Sequence, residues 1–468
     1  MKKTNTYSKI IVLLSLAFIT TSCEKGLSED AIFATFPNTA EVFDDAPVGM
    51  GTNFYFPYGG SKPTAWTVDE GTSYDGTASM RFDVPDANDA GGNYAGGIFR
   101  VDGAGRDLTG YDALTFWAKA SQSVTVAEIG FGEDFGANKY KTTRQNVQIT
   151  TNWQKIIIPI PDASKLVNER GMFRYSAAGV GSVPGQERGY TFWIDELKFE
   201  KLGTLAQPQP KILNGVNVSQ NTFNGASFQI TGTQTYNTAS GQNITVIASP
   251  SYFTFDSSDS NVAIVNELGN VSVNSAGSST ISASIAGTQA SGSLMVTSIG
   301  DFALPNAPTL PAGNVISVFS NIYTDVPVDY FNGYWGGSTT QTDNININGD
   351  DLKQYTQLNY VGIEFQNPTI DATAMTSLHL DLYTQVGGSI TIRIRDRGAN
   401  GTIESDFNGN PTGDDADLTF TTTLTANQWN LVEIPLNGTL ANQKNNLSQI
   451  VFIGGVTSFI VDNIYFHN

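Results

Sequence analysis

Apolar residues in this chain alternate; they hardly ever recur at the three-to-four spacing of a helix. Runs such as Val124 to Phe131, Val271 to Val273 and Ile390 to Ile394 alternate at period two, with β-branched and aromatic residues, between turns rich in Gly, Asn, Asp and Pro. Successive side chains of a strand point to opposite faces, so this spacing predicts strands with one buried face. An all-β protein is expected. Two proline-bearing stretches interrupt the pattern, L-A-Q-P-Q-P around Pro208 and Pro210 and L-P-N-A-P-T-L-P-A-G around Pro305, Pro308 and Pro311. Closely spaced prolines favour stiff, extended spacers, which sets boundaries near 204–212 and 299–313.

The outer segments read as diverged copies of each other. T-G-Y-D-A-L-T-F-W-A-K near residue 114 matches T-A-M-T-S-L-H-L-D-L-Y near 378, aligning Leu114, Phe116 and Ala118 with Leu378, Leu380 and Leu382. W-Q-K-I-I-I-P-I from Trp153 matches W-N-L-V-E-I-P-L from Trp429, and each copy closes on one strand, F-W-I-D-E-L-K-F around Asp195 and F-I-V-D-N-I-Y-F around Asp462. Three matched blocks in one order point to one fold used twice.

Composition narrows the partners. A net charge of −19 and no basic stripe argue against nucleic acid, whose binding rests on clustered Lys and Arg. The single cysteine, Cys23, rules out a disulfide within the chain. It follows a basic start (Lys2, Lys3, Lys9) and an apolar run from Ile10 to Ile19 too short to span a bilayer, the pattern of a secretory signal. The junction I-T-T-S-C resembles the lipobox of bacterial lipoproteins, which implies a mature chain beginning at a lipidated Cys23. Thr20 and Thr21 depart from the usual residues of that box. The acidic E-K-G-L-S-E-D that follows resembles an export tag for the outer cell face.

The opening E-V-F-D-D, the strand L-x-F-W, the W-x-x-x-x-I-P-[IL] strand and the closing [IV]-D-[EN]-[IL] strand resemble jelly-roll carbohydrate-binding modules with a galactose-binding-like sandwich. V-I-S-V-F-S-N-I-Y-T-D-V from Val315, Y-W-G-G from Tyr334 and L-N-Y-V-G-I-E-F from Leu358 strengthen this likeness in the second copy. The middle stretch S-S-D-S-N-V-A-I-V-N-E-L-G-N-V-S-V-N is similar to bacterial immunoglobulin-like domains of group two, with Val262, Ile264, Val271, Val273 and Ile281 expected in its core. The expected architecture is three β-sandwich domains in a row: jelly roll, Ig-like, jelly roll. In residues it reads as a lipoprotein signal peptide (1–22), a lipid-anchored tether (23–36), a jelly-roll carbohydrate-binding-like domain (37–203), a linker with the Ig-like domain (204–298), a Pro-rich linker (299–313) and a jelly-roll carbohydrate-binding module (314–468). Together with the anchor, this resembles a Sus-type surface glycan-binding lipoprotein. That resemblance implies a protein on the outer membrane, facing outward, that captures a polysaccharide for an outer-membrane glycan importer. Likeness to β-glucan systems makes a β-1,3-glucan such as laminarin the first candidate.

Sugars offer flat C–H faces that stack on aromatic rings and hydroxyl rims that need fixed polar partners. The chain is 11% aromatic with two histidines. In D-Y-F-N-G-Y-W-G-G, Trp335 with Tyr334 or Tyr330 forms the candidate platform; the competing reading is a loop folded back to cap the sandwich, with Trp335 as its plug. Because Ile390, Ile392 and Ile394 face inward, Arg393 and Arg395 emerge together on the opposite face, either to meet sugar hydroxyls or to pair with acidic neighbours such as Asp381. Tyr383 shares the polar side of the Asp381 strand and joins the candidates. In the first module, Trp66 and Tyr58 are candidates, while Trp117, Trp153, Trp193 and Trp429 match the family's strand positions and are expected in core or sheet packing.

By the same resemblance, a structural Ca²⁺ would tie the first strand to the last, held by Asp44 or Asp45 with Asp195, and by Asn321 or Asp325 with Asp462; hard oxygen donors suit that ion. A second oxygen-donor spacing, Asp406, Asn408, Asn410, Thr412, Asp414 and Asp417, is EF-hand-like but has Pro411 where a glycine is wanted, so a plain hairpin loop competes with it. The alternatives to a binding protein are a sandwich-type glycoside hydrolase or lyase and a surface adhesin. Hydrolysis needs two carboxyl groups with separated pKa values. The nearest pair, Glu128 and Glu133, is five residues apart and expected on opposite strand faces, and His379 and His467 have no motif around them.

Overall fold

The computed structural model describes residues 35–406 and 409–468. Cys23, the signal segment and Asn408 lie outside the described residues. The chain is all-β, built of stacked sandwiches, with 3-10 turns such as Ala163–Lys165 as the helical elements among the described residues.

The sequence repeat is a repeat of topology. In the first module, one sheet runs Gln154–Pro159, Ala113–Ala120, Tyr190–Glu200, Ser79–Val84, Trp66–Asp69, and the opening strand Glu41–Asp44 pairs with the far half of Tyr190–Glu200. In the second, the order is Gln428–Pro435, Ser377–Thr384, Ser458–His467, Asp350–Thr356, Gln341–Ile347, with Val315–Phe319 on the far half of Ser458–His467. We call these the outer sheets. Facing them, Thr142–Ile149, Val124–Phe131, Gly171–Ala178 and Tyr94–Arg100 form the inner sheet of the first module, and Ala416–Leu424, Gly388–Asp396, Leu447–Ile453 and Tyr360–Glu364 that of the second. The alternation explains the layers: Leu114, Phe116, Ala118, Leu378, Leu380 and Leu382 are fully buried between them.

The proline stretch at 204–212 is not a free spacer. Ala206–Ile212 is an edge strand, where prolines are tolerated because no neighbour needs their missing N–H. It pairs with Gly232–Asn237, which pairs with Asn243–Ala248, which in turn pairs with Thr142–Ile149 through Ile247↔Thr143 and Ala248↔Thr142. The inner sheet of the first module thus continues into the middle segment. On its other side, Ala226–Gln229 pairs with Gln341–Ile347 of the second module's outer sheet through Ala226↔Ile347 and Ser227↔Asn346. In the middle segment Val262, Val271, Val273 and Ile281 are buried as expected, but Ile264 is 47% exposed. Its neighbours Ala263 and Val265 pair with the inward Val273 and Val271, so Ile264 sits beside Ser272 on the outside.

Candidate functional site

On the open face of the second module's inner sheet lies a groove of 520 Å³. Trp335, Tyr360, Arg393, Arg395 and Gln449 line it, with Val451 and Ile453 as its apolar floor. The sequence offers Trp335 on its loop and Arg393 with Arg395 on their strand as separate candidates, and the fold brings all three to one groove. Tyr360 and Gln449 were missed, although Tyr360 stands in the quoted L-N-Y-V-G-I-E-F strand.

Trp335 comes from the loop before the sheet, and its ring lies against the strand below: a Cβ on Gly362 would fall 2.2 Å from its Cη2. The indole Nε1 donates to Glu364, and Tyr360 flanks the ring at 6.4 Å between centroids. Ring height and orientation are therefore fixed before any ligand arrives. Tyr330 and Tyr334, 58% and 62% exposed, share the loop but do not line the groove.

The arginines differ. Arg395 is buried and takes Asp417 in a two-pronged pair, Nε to Oδ1 and Nη2 to Oδ2 both at 2.7 Å. Arg393 approaches the same carboxylate at 3.4 Å and donates Nη1 to the Gly409 carbonyl at 2.9 Å, which Nη2 of Arg395 also reaches at 2.8 Å. Burial works against both charges; bonds to Asp417 outweigh it for Arg395, whose pKa rises, whereas Arg393, beside a like charge, is lowered. Both stay cationic at any ordinary pH. The partner is thus Asp417, not Asp381, which lies on the outer sheet near His379 and Asn463. Arg395 holds the 397–415 loop against the groove, and Arg393 keeps side-chain N–H groups turned toward it.

Two other candidates are not displayed. Tyr383 is on the outer sheet, packed edge-on against Phe302 at 4.9 Å and beside Trp429, which makes it part of a junction with the middle segment. Trp66 pairs in register with the buried Phe82, so its ring turns inward against Phe54, Tyr55 and Phe99.

The first module repeats the groove's design with different residues. Strand register puts Gly96 where Gly362 stands, Tyr94 where Tyr360 stands, Glu128 in the place of Arg393 and Arg174 in that of Gln449. Tyr58 lies over Gly96, whose Cβ would meet its ring at 2.9 Å. Its hydroxyl donates to Glu133 at 3.0 Å and accepts from Arg174; burial raises its pKa. Arg174 joins Glu128 at 2.8 Å and Glu133 at 2.7 Å, so these two carboxylates share one guanidinium and are not on opposite faces. The strand ends at Phe131, and Gly132, at φ +83°, turns the chain back over the sheet. Burial raises the Glu128 pKa, but hydrogen bonding and charge from Arg174 win and hold it low.

The metal candidates separate. Asp45 accepts the N–H groups of Thr77 and Ala78, and Asp195 those of Tyr74, Asp75 and Glu196. Donors converge there, so the pair anchors the loop before Ser79 and does not fit a cation. In the second module Asp325 accepts from Ser317 and Ser320, and Asn321 turns its amide to the Gly349 carbonyl. Asp462 is buried; burial, with the charges of Asp350, Asp381 and Asp325, pushes its pKa up to about 7. Asp462 accepts the backbone and side-chain N–H groups of Asn463, whose amide also reaches Asp381, while Asp325 is exposed. Among the described residues, the acidic trio whose oxygens lie within 4.8 Å of one another is a different one: Glu404, Asp414 and Asp415 in the 397–415 loop. The EF-hand spacing does not converge: Asp414 accepts from Ala399 and Asn400 while Asp417 is taken by Arg395.

The family model for carbohydrate binding domain 30 matches residues 39–201. No curated protein matches. Similar solved structures include a family 11 carbohydrate-binding module from Clostridium thermocellum in complex with a β-1,3-1,4-mixed-linked tetrasaccharide (17% identity over 29% of this chain and 85% of that one, TM-score 0.22). A family 30 module of a cellulosomal cellulase from Clostridium thermocellum gives 18% identity over 36% and 95%, TM-score 0.23. The tandem CBM22 domains of Paenibacillus barcinonensis Xyn10C give 10% identity over 93% and 99%, TM-score 0.23.

Proposed function

We propose that this protein is a non-catalytic cell-surface glycan-binding lipoprotein that collects a polysaccharide through the inner-sheet grooves of both modules. The observation that carries the reading is the repeated platform: an aromatic ring laid on a glycine, a flanking tyrosine, and fixed polar groups across the groove, present as Trp335–Gly362–Tyr360 and again as Tyr58–Gly96–Tyr94. Rings supply the apolar face and the guanidinium groups the hydroxyl partners that a sugar needs. The low pKa of Glu128 suits a hydrogen-bond acceptor; a general acid would need the opposite shift. In this reading Cys23 carries the lipid anchor on the outer membrane, the Ig-like middle segment is a spacer, an importer in that membrane receives the glycan, and Ca²⁺ at Asp462 with Asp325 steadies the second module.

The first polymer to test is the β-1,3-glucan laminarin, beside mixed-linkage β-glucan and xylan. Affinity electrophoresis of the protein without its signal segment should show retardation by a β-glucan with no release of reducing ends. Trp335→Ala and Tyr58→Ala should each weaken it about tenfold, and together remove most of it. Retardation by none of the polymers, or liberated reducing ends, overturns the reading.

A further inference from the structure

The outer sheet of the first module displays aromatic rings on its solvent side. Trp117, Trp153 and Trp193, expected in packing, are half-buried there, and Tyr74 is 41% exposed. Trp193 stands opposite Lys119, whose ammonium lies over the Trp193 ring at 5.6 Å and over the Trp153 ring at 5.8 Å. The two tryptophans thus flank one strand, about 10 Å apart by the usual strand spacing. Each ring is held. Trp193 donates Nε1 to Asp69 at 2.7 Å, and Tyr74 stacks on Trp117 at 4.0 Å and 12°. Asp195 and Asp45, the carboxylates that do not fit a metal, fasten by backbone N–H bonds the loop that carries Tyr74. Beside Trp193 the face continues into a polar trough of 370 Å³ with Asp69, Glu70, Arg81 and Asp83.

The second module shows what else this face can do. There the equivalent positions are Tyr383, Trp429 and Ile460. Tyr383 and Trp429 pack their rings against Phe302, and Trp429 Nε1 donates to the Ala303 carbonyl at 2.7 Å. In the first module a lysine replaces the central tyrosine. Inserting an apolar side chain between the rings would bury that ammonium without a partner, which is strongly unfavourable. A ligand that brings its own hydroxyls leaves the ammonium satisfied while its C–H face covers the rings.

We propose that this outer face is a second glycan-binding surface of the first module, on the sheet opposite its groove, taking a neutral sugar chain laid across the strands from Trp153 over Lys119 to Trp193, with Arg81 and Asp83 meeting its hydroxyls. The ligand contacts both rings only when it is a disaccharide or longer. The proposal goes beyond the groove reading, and the variants separate the two. Calorimetry with laminarin and mixed-linkage β-glucan would compare the native chain, the groove variant Tyr58→Ala/Trp335→Ala, the outer-face variant Trp153→Ala/Lys119→Glu, and the four-fold variant, with melting temperature checking the fold. The groove variant is expected to keep binding to one of these glucans at least tenfold weaker than the native chain, with quenching of tryptophan fluorescence. The four-fold variant should lose it, and Lys119→Glu alone, which leaves every ring in place, should weaken it several-fold. Binding by the native chain that is absent in the groove variant, or that the outer-face substitutions leave unchanged in both backgrounds, overturns the second surface while the groove reading stands; a polypeptide seated on this face would give the latter result. Glucan binding lost through the outer-face substitutions alone would support this surface and overturn the groove reading.

Discussion

At the scale of single residues, two glycines do what no large side chain could. Gly362 and Gly96 let a ring rest on the sheet itself, which sets the platform's height without any contact from a ligand. Gly362→Ala should therefore push Trp335 off its seat and cut glycan affinity about tenfold, near 1.4 kcal/mol, with the melting temperature close to that of the native chain; unchanged affinity would show that Trp335 is no platform. Neither glycine stood out in the sequence, because a close approach depends on what arrives from a distant loop. Trp335 was legible from its ring-rich, glycine-flanked loop, and the arginine pair from the alternation around Ile390, Ile392 and Ile394, which dictates their face. Trp66 and Tyr383 were not, because a ring one register position over faces the core or a neighbouring segment. Another residue controls pH response. Glu169 is buried, and burial raises its pKa from the usual 4.5 to about 7, with Asp134 adding to the rise and the N–H groups of Gly171 and Arg170 opposing it. A carboxyl group raised on folding favours the folded state fully below the unfolded pKa and loses that contribution as pH climbs through the folded one. The first module should thus lose about 3 kcal/mol between pH 4.5 and pH 8 from this group. Glu169→Gln should flatten that slope in denaturant titrations at a series of pH values; an unaltered slope would remove Glu169 as its source.

At the scale of elements, one buried side chain ties the 397–415 loop at more than one point. Arg395 rises from a core strand, is 2% exposed, and fastens Ser405, the Gly409 carbonyl and Asp417 at once. Removing one member of a buried pair leaves the other uncompensated, so Asp417→Ala should cost about 3 kcal/mol and loosen the loop beside the groove. Replacing both, as Arg395→Met/Asp417→Leu, should restore much of the stability but not the glycan binding. Recovery of both by the double variant would mean that the loop needs no ionic anchor. The sequence supplied the arginines, but their partner sits on the adjacent strand Ala416–Leu424, beyond a turn whose path local pattern does not specify. The same limit explains Ile264: alternation predicts that one face is buried, yet on so short a strand it does not say which.

At the scale of the whole molecule, the repeat and the all-β class were readable from the three matched blocks, whereas the joining of the sheets was not. Pairing of Asn243–Ala248 with Thr142–Ile149 places a strand of the middle segment inside the first module's own sheet, and the proline stretch that reads as a stiff spacer is simply that sheet's edge. One continuous hydrophobic core runs from Val42 through Tyr252 and Val271 to Ile347. Tyr252 marks the seam: wholly buried in the middle segment, it donates its hydroxyl to the Tyr140 carbonyl at 2.8 Å and accepts from Thr142, both in the first module. Strand pairing joins the middle segment to both modules, and tethering two grooves on one chain raises the effective concentration of the second site once the first has bound a polymer. If the seam transmits stability, Tyr252→Ala should cost about 3–5 kcal/mol. The loss should appear in the first module too, where Trp66, Trp117, Trp153 and Trp193 report unfolding by fluorescence although none lies in the substituted segment. A first module that melts at its native temperature while the middle segment melts early would show two units that touch without sharing a folding transition, and the two grooves would then bind a polymer as independently tethered sites.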